Sequence, residues 1–169
     1  MSVVNQEVEK LINIGFTYHQ DGCLDEAENA YQEVLTIDGK NAEVFNLLGV
    51  LKLQQNDVIS AINWIEKAVE IKPDVYFYET LFQAYVRAGL FKQIVAREKE
   101  VLEKFPDNFW LLFNIALANK KTKKKQNKLI NIYIIVIKSL HLHPLRNRIR
   151  TNMSRRHPKD LILYGLAVT

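Results

Sequence analysis

The sequence predicts an all-α chain, an α-solenoid of about three and a half helical hairpins followed by a basic, irregular C-terminal extension. Three observations predict it. The chain repeats itself: Gly15 and Gly49 stand 34 residues apart, Ala27 and Ala61 share that separation, and Pro73 and Pro106 recur after 33. A period of this length is the signature of stacked supersecondary units. Within each unit the apolar residues recur at three and four, the spacing of one helical face, so the units hold helices and not strands. Finally, the charge changes sign near residue 120. Residues 1–119 carry 10 Lys plus Arg against 18 Asp plus Glu, and residues 120–169 carry 13 against the single Asp160. The net charge of +4 therefore averages an acidic repeat region, 7–119, and a basic extension, 120–169.

The first unit sets the pattern for the others. Val8, Leu11, Ile14, Gly15 and Tyr18 form one apolar stripe, QDGCLDE interrupts it, and Ala27, Ala30, Tyr31, Val34 and Leu35 form the next. Gly22 suits the left-handed residue just past a helix end. Asp25 and Glu26 place negative charge at the next N-terminus, where the helix dipole favours it. The same hairpin logic predicts helices over 7–20 and 24–37, 42–55 and 58–71, 75–88 and 91–104, then 108–121. VEIKPDVYFY and LEKFPDNFWL repeat one junction, a helix end, a Pro-Asp turn and an aromatic helix start.

At these residues the chain resembles the tetratricopeptide repeat (TPR) family. With units counted from Val8, Ala42 and Val75, the family's small residue at position 8 is matched by Gly15 and Gly49, and its alanine at position 20 by Ala27 and Ala61. Tyr18 and Tyr85 match the large residue at position 11, Tyr31 and Ile65 the bulky one at position 24, and Pro73 and Pro106 the proline at position 32. The departures are Lys52 at position 11, Gly39 at position 32, and Phe82, Ile94 and Glu98 in the third unit. Small residues at 8 and 20 let paired helices approach, and bulky ones fill what remains. FWLLFNIALAN, with Ala116 at position 8, reads as a fourth first-helix.

Beyond it, KKTKKKQNK replaces the expected turn. LINIYIIVIKSLHLHP is compatible with an overlong fourth second-helix or with a strand, and LRNRIRTNMSRRHPKDLILYGLAVT has no usable period.

The resemblance implies a non-catalytic protein-interaction scaffold whose first helices line a concave face that receives an extended peptide or a partner helix. The residues expected there are Ile12, Phe16, His19 and Gln20; Asn46, Val50, Leu53 and Gln54; Tyr76, Glu79, Gln83 and Arg87; and Trp110, Phe113, Leu117 and Lys121. The competing reading makes Phe16, Val50 and Leu117 core for a longer stack. One subfamily grips the C-terminal carboxylate of chaperones with Lys, Asn and Arg. The matching positions here are Ile12, Phe16, Leu47, Glu79 and Gln83, which offer no cation, so that ligand is disfavoured.

Other functions find less support. The run from Lys120 to Lys128 and the arginines from Arg146 to Arg156 could attract nucleic acid or anionic lipid, but only Tyr133 and Tyr164 flank them, so bases have no stacking platform. On a helix His141 and His143 point about 200° apart and cannot share a metal. There is no phosphate loop or nucleophile elbow. Neither a catalytic residue, a metal site nor a cofactor is expected. The alternative is the N-terminal repeat region of a truncated larger enzyme, such as a glycosyltransferase. One cysteine, no leader-like start and no apolar run of spanning length point to a soluble, cytoplasmic protein.

Overall fold

The computed structural model describes residues 3–122, and across them the chain is helical, with no strand. Eight helices follow in order: α1 (Val3–Gln20), α2 (Leu24–Ile37), α3 (Ala42–Gln54), α4 (Val58–Ile71), α5 (Val75–Arg87), α6 (Phe91–Ala96), α7 (Glu98–Lys104) and α8 (Phe109–Lys121). The described residues belong to two compact units, 3–84 and 85–122. The expected fourth second-helix and the irregular tail lie outside the described residues.

The helices begin where a short polar side chain can accept a free backbone N–H. Asn41 Oδ1 accepts from Val44 at 3.0 Å, Asp57 Oδ1 from Ser60 at 3.1 Å and Asn108 Oδ1 from Leu111 at 2.8 Å. Each cap satisfies one of the orphan donors of the first turn. At the three hairpin turns one residue per unit adopts positive φ: Gly22, Asn56 and Gly89. They recur 34 and 33 residues apart, so the repeat period governs the turns as well as the faces.

In the first unit α1 pairs with α2 and α3 with α4, and α3 packs on α2. Each hairpin closes on its glycine. A methyl group at Gly15 would lie 2.6 Å from Tyr31 Cε1, and one at Gly49 would overlap Ile65 Cγ1. Ala27 and Ala61 are fully buried beside these contacts. Ile12, Ala27, Tyr31, Val34, Val44, Leu47, Leu48 and Leu51 form one continuous core across the first three helices. This is the small-against-bulky packing expected from positions 8, 20 and 24.

Two expectations about this region are corrected. The stripe of α1 does not bury all its members: Ile14 and Tyr18 are 38% and 41% exposed, while Ile12, Gly15 and His19 are the buried residues. The reason is that α1 is the first helix of the series and is paired with α2 on one flank. The helix also starts at Val3, a turn earlier than residue 7.

A third correction concerns the single helix expected over 91–104. It is broken at Arg97 into α6 and α7. The Arg97 N–H is shared between the carbonyls of Gln93 and Ile94, both at 3.2 Å, the tightened geometry of a 3₁₀ turn. In the second unit α8 packs on α6 and α7, and Ile94, Val101, Leu111 and Ala118 are fully buried.

Candidate protein-interaction face

The first helix of each hairpin was expected to present an open face, and the structure divides the named residues by burial. In the first unit Ile12, His19, Asn46, Val50, Leu53 and Glu79 are buried. Phe16, Gln54, Tyr76 and Gln83 are half-buried and Gln20 is exposed. In the second unit Arg87, Phe113 and Lys121 are exposed, with Trp110 and Leu117 half-buried. The accessible part of the face is therefore narrower than the register alone implies, and Phe16, Gln20 and Gln83 are its reachable side chains in the first unit.

His19 shows why. It stands at the end of α1 and joins three helices. Its Nε2 lies 2.8 Å from Gln54 Oε1 on α3, and its Nδ1 lies 3.4 Å from the Tyr31 hydroxyl on α2. The neutral tautomer with the proton on Nε2 satisfies both, donating to the amide oxygen and accepting from the phenol. Burial holds the His19 pKa below its ordinary value, opposed by the bond to Gln54. Burial likewise raises the Tyr31 hydroxyl well above the usual tyrosine range, with Glu43 adding to the effect. His19 is thus a structural tie, and its side chain is withdrawn from solvent.

Asn46 is a different case. It is buried on α3, and its Oδ1 accepts no hydrogen bond from the described residues. A buried acceptor without a donor costs free energy that a ligand's N–H would recover. Its neighbour one turn on, Val50, is apolar and buried. The chemistry offered along α3 is therefore one hydrogen-bond acceptor in an apolar setting, which suits a backbone amide better than a charge.

The remaining surface features came from tertiary packing. Phe45 of α3 stacks on Trp64 of α4, centroids 5.7 Å apart, and Lys67 Nζ sits 4.2 Å above the Trp64 ring. Lys52, the departure at position 11, pairs with Glu28 of α2 at 2.7 Å. On α8 the rings of Phe109, Trp110 and Phe113 are nearly parallel, Phe113 lying 6.5 Å from Phe109 and 6.0 Å from Trp110. Sequence reasoning could have found the last group from its i, i+4 spacing. The Lys67–Trp64 contact is also on one helix, but the stack on Phe45 needed the hairpin closed.

For catalysis the described residues supply little. Among them no group of three or more His, Cys, Asp and Glu is placed to hold a metal, and Cys23 is exposed in the α1–α2 turn. No helix of the described residues is long and apolar enough to cross a membrane.

A family model described as the tetratricopeptide repeat matches residues 11–41 and 42–75. Its two segments meet at the α2–α3 junction, as the packing does. Residues 11–75 are two tetratricopeptide repeats.

Solved structures agree on the fold. The chain is similar to MamA of AMB-1, at 18% identity and a TM-score of 0.64 over 79% of each chain. It is similar to the first TPR of Spaghetti (RPAP3), a structure bound to an HSP90 peptide, SRMEEVD, at 18% identity and a TM-score of 0.62 over 70% of this chain and 95% of that one. It also resembles the Thermobaculum terrenum O-GlcNAc transferase, at 21% identity and a TM-score of 0.59 over 70% of this chain. There the match spans only 23% of the enzyme's length. No curated protein matches the sequence. These likenesses are of fold.

Proposed function

We propose that this chain is a non-catalytic adaptor that receives an extended peptide or a partner helix on the first-helix face of its repeats. The observation that carries the reading is Asn46: a buried, unsatisfied acceptor in an apolar setting on α3, on the face where Phe16 and Gln83 remain reachable. Such a face is suited to a backbone N–H and an apolar side chain. Lys10, Lys40, Lys52, Lys67 and Lys72 are the cations of residues 3–84, and none occupies a first-helix face position named above. A carboxylate terminus is therefore a poor fit, and the ligand favoured is neutral or basic. Cytoplasmic residence belongs to the same proposal.

The test is a peptide-array selection on the intact chain, followed by affinity measurements on the variants. On the selected peptides, Phe16→Ala should weaken binding at the first unit and Phe113→Ala binding at the second, each by about tenfold with helicity retained, as truncated apolar anchors commonly do. Neutralising Lys123, Lys124 and Lys125 together should change affinity little at physiological salt, since salt screens charge–charge attraction. Loss of binding on that neutralisation, with indifference to both phenylalanines, would transfer the function to the basic extension.

A second reading, the repeat region of a larger enzyme, draws on the break in pattern and charge near residue 120. A continuous reading frame carrying a catalytic domain would decide for it.

A further inference from the structure

Positions 4, 7 and 11 of the repeat form one row along each first-helix, and at position 11 that row meets the preceding second-helix on α3 and α8. On α3 these are Phe45, Leu48 and Lys52: the first two are buried, and Lys52 pairs with Glu28 on α2. On α5 they are Tyr78, Leu81 and Tyr85, all buried. On α8 they are Leu112, Ile115 and Asn119, all buried, and Asn119 Nδ2 donates to Glu98 Oε2 of α7 at 3.2 Å. On α3 and on α8 the arrangement is the same: the apolar residues are covered, and the polar group at position 11 is met by a carboxylate from the preceding second-helix.

On α1 the same row is Leu11, Ile14 and Tyr18. Leu11 is half-buried against the core of the first three helices, but Ile14 and Tyr18 stand 38% and 41% exposed, against 0% for Leu48 and 2% for Tyr85 at the matching positions. Val4, seven residues before Leu11, extends the row and is exposed as well. The spacing 4, 11, 14, 18 is that of a helix seam.

We infer that the exposed row of α1, Val4, Ile14 and Tyr18, is a docking surface for an amphipathic helix of a partner protein, one that lays apolar residues on Val4 and Ile14 and brings a carboxylate to the Tyr18 hydroxyl. The interface continues the established one: what α2 is to α3, the partner helix is to α1. The Tyr18 phenol can donate one hydrogen bond, as the Lys52 ammonium and the Asn119 amide do, so the acid preference follows from the two carboxylates already seen. This surface is separate from the face in the proposed function and stands or falls independently of it.

The test uses the intact chain and a defined probe, a fluorescent, hydrocarbon-stapled peptide of residues 24–37, the helix that covers α3. Saturable binding is expected. Ile14→Asp should weaken it by about tenfold, with the helical circular-dichroism spectrum unchanged because Ile14 is exposed. Tyr18→Phe should weaken it about threefold or more, and only while the probe retains Glu28; a probe carrying Glu28→Gln should not sense the change. Sedimentation of the chain alone completes the experiment. Failure of the probe to bind, or binding that ignores Ile14→Asp, overturns the proposal. A homodimer that Ile14→Asp dissociates overturns it too, since the occupant is then a second copy.

Discussion

The first two hairpins and the third repeat stand on nearly the same period yet solve their packing differently. In the first two, glycine at position 8 lies against Tyr31 or Ile65 at position 24, alanine at position 20 is fully buried, and each second-helix runs unbroken for 14 residues. In the third, position 8 is Phe82, fully buried and edge-on to Tyr78, position 20 is Ile94, also fully buried, and position 24 is Glu98. There the second-helix is split at Arg97. The lesson is that positions 8, 20 and 24 form a matched set where the small residues are kept; in the third repeat the residue at position 24 is instead a polar partner for Asn119.

The sharpest way to break that comparison is to give the third repeat a small residue at position 8, as the first two have. Phe82→Ala should cost about 3–5 kcal/mol in a denaturant titration, the usual result of emptying a fully buried aromatic site. A neutral outcome would mean that position 8 tolerates a small residue in all three repeats. The converse substitution follows. Ala61→Leu forces extra volume beside Gly49 and Ile65 and should cost about 1–3 kcal/mol, read as a lower melting midpoint. An unchanged midpoint would show that the hairpin has slack where the contacts show none.

Smaller effects separate the ties that hold the hairpins to one another. A double-mutant cycle on Glu28→Gln and Lys52→Met should return a coupling of about 0.5–1 kcal/mol, modest because the pair retains some solvent contact. Zero coupling would make Lys52 a simple departure from the family pattern. The smallest is a pH effect. Burial places the folded-state pKa of His19 below its ordinary value of 6.5, so the unfolded chain binds the proton more readily. Stability should be complete above 6.5 and decline as pH falls through the folded value. Equilibrium unfolding of His19→Gln across that range should lose this part of the slope, and an identical pH profile would remove His19 as its source.

The sequence by itself determined the helices, their order and their contacts at the repeat positions. Periods of 34 and 33 residues and three-four spacing are local and additive along the chain, so α2 and α4 begin and end at their expected residues, and Gly15, Ala27, Gly49 and Ala61 occupy their expected contacts. Tertiary structure decided what depends on a neighbour. Whether Ile14 and Tyr18 are core or surface turns on whether another helix lies beside α1, and no pattern within α1 contains that information. Whether His19 is a reachable side chain turns on Gln54, 35 residues away, and on Tyr31 across the hairpin. The same holds for Lys52, whose meaning is Glu28, and for the break at Arg97, where the competition between adjacent carbonyls for one N–H is a property of the folded turn. Periodicity assigns a residue to a face, but burial belongs to the pair of surfaces that meet, and only one of them is written in the local sequence.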